Sequence, residues 1–232
     1  MKIQHLHRWD VSYKEAVSLQ QKLKENLILH DKAFPGRIRT IAGADISYSK
    51  QSDLFFAAVV LLEYPAMAVV EEAFFTERVS FPYIPGLLSF REGPAVLKAF
   101  ENLHNIPDVV IFDGQGIAHP RGIGLASHMG LFLDMATIGC AKKRLVGEYG
   151  EVGHGVGDHA DLMLDDQVVG AVVRTKKKVK PVFISPGHKI GMRKAIDVVL
   201  SCCRGYRLPE PVRMAHLAVN RIRLNTIISD DS

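Results

Sequence analysis

Apolar residues recur at helical intervals near the start of the chain. Ser12 and Glu15 stand at capping-box spacing, and Ala16, Val17, Leu19, Leu23, Leu27 and Ile28 follow, which predicts a first helix. Pro35-Gly36 punctuates the connection after it. Three apolar runs come next, at residues 38–48, 54–64 and 67–79. Short polar or proline-containing breaks divide them, as in antiparallel hairpins. A loop rich in proline and glycine then covers residues 81–93, and a helix is predicted from Pro94 to His104, because proline is tolerated in a first helical turn.

The second half alternates. Residues 109–112 form a short apolar run ending at Asp113-Gly114, residues 124–136 read as a helix and residues 138–141 as a strand. Further strands are predicted at 168–174 and 182–185, and further helices at 190–203 and 211–222. Three antiparallel strands followed by strand–helix alternation predict an α/β fold, a mixed sheet with helices on its faces.

Composition narrows this only a little. The chain has 232 residues, enough for one α/β domain spanning residues 1–232 with a substantial core. A hydrophobic fraction of 47% and a charged fraction of 23% exclude a disordered chain. The net charge of +4 points only weakly to an anionic partner. Cys140, Cys202 and Cys203 include no C-x-x-C pair, which fits a reducing compartment and gives no zinc motif. The first ten residues lack the apolar segment of a signal peptide, and the apolar run at 54–62 is too short to span a bilayer. A soluble cytoplasmic protein is expected, and a monomer, since no apolar stripe stands out.

Four polar residues sit where chemistry is plausible. Asp45 interrupts the apolar strand Thr40-Ile41-Ala42-Gly43-Ala44-Asp45, and a carboxylate there must be paired, neutralised or bound to a cation. Asp113 ends Val109-Val110-Ile111-Phe112, and ligands bind at the carboxyl ends of strands in α/β sheets. An Asp-Gly turn is the plain alternative. Glu92 precedes the predicted helix, a favourable place for an acid near a helix dipole. His216 lies on the last long helix, where a lone histidine is usually packed or exposed. Asp45, Glu92 and Asp113 converge only if the first strand lies beside the fourth; metal-assisted phosphodiester cleavage needs such an acidic cluster.

Five stretches make the sequence resemble the endonuclease V family. They are Ala42-Gly43-Ala44-Asp45-Ile46-Ser47-Tyr48; Phe81-Pro82-Tyr83-Ile84-Pro85-Gly86-Leu87-Leu88-Ser89-Phe90-Arg91-Glu92; Asp113-Gly114-Gln115-Gly116-Ile117-Ala118-His119-Pro120-Arg121; Gly139-Cys140-Ala141-Lys142; and Tyr206-Arg207-Leu208-Pro209-Glu210-Pro211. The resemblance implies an RNase H-like fold, a mixed five-stranded sheet core flanked by helices. It implies a Mg²⁺-dependent DNA-repair endonuclease, with Mn²⁺ able to substitute, acting on DNA that contains deoxyinosine. The enzyme would hydrolyse the second phosphodiester bond 3′ to the lesion, leaving 3′-hydroxyl and 5′-phosphate ends. Inosine-containing RNA is the alternative substrate, and a non-catalytic nucleic-acid-binding module the alternative class.

Residue by residue, the resemblance makes Asp45 and Asp113 metal ligands and gives Glu92, Lys142 and His216 places in the catalytic set. Lys142 would stabilise the charge of the pentavalent phosphate. Pro82, Tyr83 and Ile84 would form a stiff wedge in the gap left by a displaced base. The plain alternative is a turn that packs Tyr83 into the core. Gly86, Leu88, Gly114 and Gly116 would line the pocket for the base. His119 either contacts the strand or orders its loop, and His128 reads as a packing residue. Lys142-Lys143-Arg144 and Lys176-Lys177-Lys178-Val179-Lys180 are the densest basic runs, the second expected to contact phosphates. The glycine-rich segment at 150–159 reads as a surface loop, not a metal site.

Overall fold

The computed structural model describes residues 1–49 and 54–230; the polar break expected after the first strand falls outside them. Helix α1 (Tyr13–Lys24) starts at a reciprocal capping box, in which Ser12 Oγ accepts the Glu15 N–H and the Glu15 carboxylate accepts the Ser12 N–H. Strands β1 (Thr40–Ser49), β2 (Leu54–Glu63) and β3 (Val69–Arg78) form an antiparallel meander. Helix α2 (Leu88–Glu101), strand β4 (Val109–Phe112), helix α3 (Leu125–Leu133) and strand β5 (Ala136–Ala141) follow. Strands β6 (His159–Leu164), β7 (Gln167–Val173) and β8 (Val182–His188) then precede helices α4 (Met192–Ser201) and α5 (Glu210–Asp230).

All eight strands join one sheet in the order β3-β2-β1-β4-β5-β8-β7-β6. The five-stranded core is therefore extended by three antiparallel strands. Strand β4 pairs in parallel with both β1 and β5, so the first strand does lie beside the fourth. Alternation along the strands sends Ile41 and Ile111 into a core shared with α4 and α5. Ala42, Ala44, Val110 and Phe112 point the other way, into a core shared with α2 and α3. Among the described residues, no helix is long and apolar enough to cross a membrane.

Two elements differ from expectation. Helix α2 begins at Leu88 rather than Pro94, which becomes an interior residue. Proline there forfeits one backbone hydrogen bond, but Phe90, Gly93, Val96, Leu97 and Phe100 are all buried on the same helix. The early start carries Leu88, Ser89 and Glu92 on a rigid element. Strand β6 had no expected counterpart. It is a sheet edge whose only fully buried side chain is Leu162, so it lacks a strong apolar pattern. Its hairpin to β7 turns through Asp165 and Asp166, both at positive φ (48° and 61°), the two-residue geometry that matches strand twist.

Candidate active site

Ala44 of β1 sits opposite Phe112 of β4, so the next residues, Asp45 within β1 and Asp113 just past the end of β4, stand side by side. The Asp113 N–H donates to the Ala44 carbonyl (3.2 Å) and continues the ladder one step. Helix α5 supplies the third group. A Cβ built on Gly43 would lie 1.9 Å from the Pro211 carbonyl oxygen, so the helix start rests directly on the strand backbone. One turn and a half later, His216 Nδ1 meets Asp45 Oδ2 at 2.7 Å. The Asn220 amide donates toward His216 Nε2 (3.3 Å), which leaves Nδ1 to carry the proton given to Asp45. One ligand atom from each of Asp45, Asp113 and His216 lies within 4.8 Å of the others.

Lys142 follows β5 at once, and its ammonium ion-pairs with Asp113 Oδ2. Glu92 faces the same place from α2. It lines a cavity of about 220 Å³ together with Asp45, Asp113, Leu88 and Leu125, although it is not in the three-residue cluster. Burial, then the charges of Asp45 and Asp113, push the Glu92 carboxyl up to about 8. Burial and Asp113 also raise Asp45, against the hydrogen bond from His216. Three acids in one small chamber repel each other, and a divalent cation relieves that repulsion. The two carboxylates suit a hard divalent ion with room for waters or phosphate oxygens, and the imidazole orients Asp45 beside it.

A second, larger pocket of about 500 Å³ adjoins this chamber and shares Leu88 and Leu125 with it. Tyr83, Ile84, Gly86, Leu88, Gly114 and His119 all line it. Tyr83 is 68% exposed, so it is not packed into the core. Gly86 adopts φ +78°, and its carbonyl collects donors from His119 Nε2 (3.1 Å) and the Arg121 guanidinium. His119 Nδ1 in turn accepts the Arg121 N–H at 3.2 Å, so a neutral ring satisfies both sides. Burial, then the Arg121 charge, depress its pKa to about 4. His119 thus orders the loop while lining the pocket. His128 is fully buried and packs as expected, bonded to Ser89 Oγ and His7 Nε2.

One expected pocket residue and one expected wedge residue lie outside this lining. Gly116 is beneath the surface: its N–H donates to Ser185 Oγ (2.8 Å), and a Cβ there would sit 2.0 Å from the Pro186 carbonyl oxygen. Its lack of a side chain serves close packing against β8. Pro82 turns toward a separate crevice beside Trp9 and Arg91. Other lining residues had not been singled out. Ser89 and Gln115 lay inside quoted motifs without a signal of their own, and Lys143 and Arg144 belonged to a noted basic run. Arg207 likewise lies inside a quoted motif with no signal of its own. Its guanidinium donates to the carbonyls of Lys142, Lys180 and Pro181, fastening the basic β7–β8 loop to the site. Lys176, Lys177 and Lys178 are exposed on that loop.

The family model for Endonuclease V matches residues 21–217. Endonuclease V of Dehalococcoides mccartyi (strain CBDB1) is 49% identical over 222 residues, covering 96% of this chain and 99% of that protein. The crystal structure of Endonuclease V from Bacillus subtilis superposes with a TM-score of 0.93 at 31% identity, covering 100% of both chains. A Ciona intestinalis Endonuclease V, bound to a 24mer DNA containing an inosine followed by a ribo-adenosine, gives 0.79 at 30% identity, covering 92% of this chain and 98% of that one. The chain, a nuclease of RNase H-like fold, belongs to the endonuclease V family.

Proposed function

We propose that this chain is a Mg²⁺-dependent endonuclease that cuts DNA at the second phosphodiester bond 3′ to a deoxyinosine, leaving 3′-hydroxyl and 5′-phosphate ends. The observation that carries the reading is the meeting of Asp45, Asp113 and His216 within 4.8 Å, beside a pocket with Tyr83 at its edge. Asp45 and Asp113 hold the ion, and Mn²⁺ can take its place. When bound, the ion polarises the scissile phosphate and acidifies an attacking water.

The remaining residues act around that centre. His216 takes or delivers a proton at Nε2 while Nδ1 stays on Asp45. Glu92 fixes a water at the chamber wall. Lys142 exchanges its Asp113 contact for the developing charge on the phosphate. Tyr83 and Ile84 enter the base stack, and the extruded hypoxanthine occupies the larger pocket. Gly86, Leu88 and Gly114 present backbone groups to the base edge. Hypoxanthine offers a ring N–H donor beside a carbonyl acceptor where adenine offers the reverse, so fixed backbone groups distinguish the two.

Inosine in RNA is the second reading, favoured by the ribo-adenosine in the ligand of the Ciona relative. Single-turnover cutting of matched DNA and RNA duplexes, each with one inosine, tests both. Cleavage should require Mg²⁺ or Mn²⁺ and vanish with chelator. Equal cutting of inosine-free duplexes would sink the lesion reading, and metal-independent cutting would sink the assignment of the acids.

A further inference from the structure

A third cavity, of about 270 Å³, adjoins both chambers. It shares Tyr83 and Leu88 with the larger pocket and Ile46, Leu88 and Glu92 with the acidic one. Tyr83 and Leu88 are thus a partition with a space on either side. The new cleft has a distinctive wall. The Arg91 guanidinium carbon lies 5.0 Å from the Phe55 ring centre and 5.5 Å from that of Tyr48. Those two rings are themselves 5.0 Å apart. Arg91 is also tethered, donating to the Phe81 carbonyl at 2.9 Å. A planar cation held over aromatic rings offers a stacking surface that accepts any base, because every base has a π face.

We propose that this cleft binds the nucleoside immediately 3′ of the lesion, with its base against the shelf of Arg91, Tyr48 and Phe55. The inference rests on the cutting position proposed above. A cut at the second bond leaves one nucleoside between the lesion's own 3′ phosphate and the scissile phosphate. That nucleoside has to pass from the larger pocket to the acidic chamber around Leu88, and the cleft lies on this route. Stacking there sets the length of strand between the extruded base and the acids, and so which bond meets Asp45 and Asp113. It does so without choosing among the four bases. The flanking nucleoside is a positioning contact, distinct from recognition of the lesion.

The test removes the base rather than the protein group. Inosine duplexes carry an abasic analogue one position 3′ of the lesion, two positions 3′, or opposite the first of these sites. Binding is measured with chelator and cutting with Mg²⁺ under single turnover. The wild-type protein should lose about tenfold on the first substrate, the scale of one lost stacking contact, with much smaller losses on the others. In Arg91→Met and Tyr48→Ala, the ratio between intact and abasic substrates should fall toward one. A merely loosened wedge loop would slow both substrates alike and leave the ratio unchanged. A wild-type ratio near one overturns the inference. So does a ratio that survives in both variants, or a loss that appears only on the opposite strand. Failure to cut any inosine duplex would remove the functional reading and this inference together. Normal cutting with no dependence on the neighbouring base would remove this inference alone.

Discussion

The acidic chamber and the larger pocket meet at Leu88 and Leu125, yet they are assembled from different materials. The chamber gathers Asp45, Asp113, Glu92, His216 and Lys142 from five separate elements or their ends, and burial together with neighbouring acids raises the pKa values of Asp45 and Glu92. The pocket is walled mainly by glycine backbone, apolar side chains and a histidine kept neutral near Gly86, with Lys142, Lys143 and Arg144 along one side. In the proposed function, charge holds a cation and stabilises a transition state, while shape and fixed backbone dipoles sort bases. The two regions should therefore fail separately.

The largest effect belongs to the chamber. Asp113→Asn or Asp45→Asn should lower single-turnover cutting by at least about 10³-fold, while affinity for an inosine duplex in chelator changes little. Cutting at wild-type rate by either variant breaks the division. Lys142→Met should cost about 10²-fold to 10³-fold in rate, the scale of one lost transition-state donor, again with binding nearly intact. On the other side, Tyr83→Ala should leave the chemistry in place and reduce the preference for inosine over adenine by about tenfold. An unchanged preference would return Tyr83 to the status of a surface residue.

The remaining effect is on stability, and it has opposite signs in the two regions. His119 in the fold has a pKa of about 4, below the ordinary 6.5, so the folded state excludes a proton that the unfolded chain accepts. Its contribution is complete above pH 6.5 and is lost as pH falls toward 4, by at most about 3 kcal/mol. Glu92 behaves inversely. Its folded pKa of about 8 lies above the ordinary 4.5, so metal-free protein becomes less stable as pH rises from 4.5 through 8. Melting of metal-free protein should decline on both sides. Glu92→Gln should flatten the alkaline branch and leave the acid branch alone. An alkaline branch unchanged in that variant would show that the chamber acids are not strained.

How much of this the chain discloses in advance depends on how far apart the partners are. Asp45 and Asp113 were legible because a carboxylate at the end of an apolar run is costly, and the antiparallel meander followed by a strand permitted their meeting. His216 carries no local pattern, since the carboxylate that gives it meaning is 171 residues away; a lone helical histidine is usually packed or exposed, and the family resemblance is what gives it a place in the site. Glu92 was marked the same way, but its helix was misjudged because Pro94 reads as a start. The strand at β6 was missed because an edge strand needs little apolar periodicity. Arg207 acts through backbone carbonyls on distant loops, which no spacing rule reveals. Gly116 shows the converse: a motif placed it near the pocket, and packing against β8 took it out of the lining.

Gly43 has a consequence for what changes the protein tolerates. The helix bearing His216 is seated on bare main chain at that point, with no space for even a methyl group. A side chain there would lift the helix like a shim under a hinge plate, and the imidazole five residues beyond the Pro211 contact would swing away from its acid. The alignment of the reacting groups is thus gauged by a hydrogen atom, at a residue that never touches substrate.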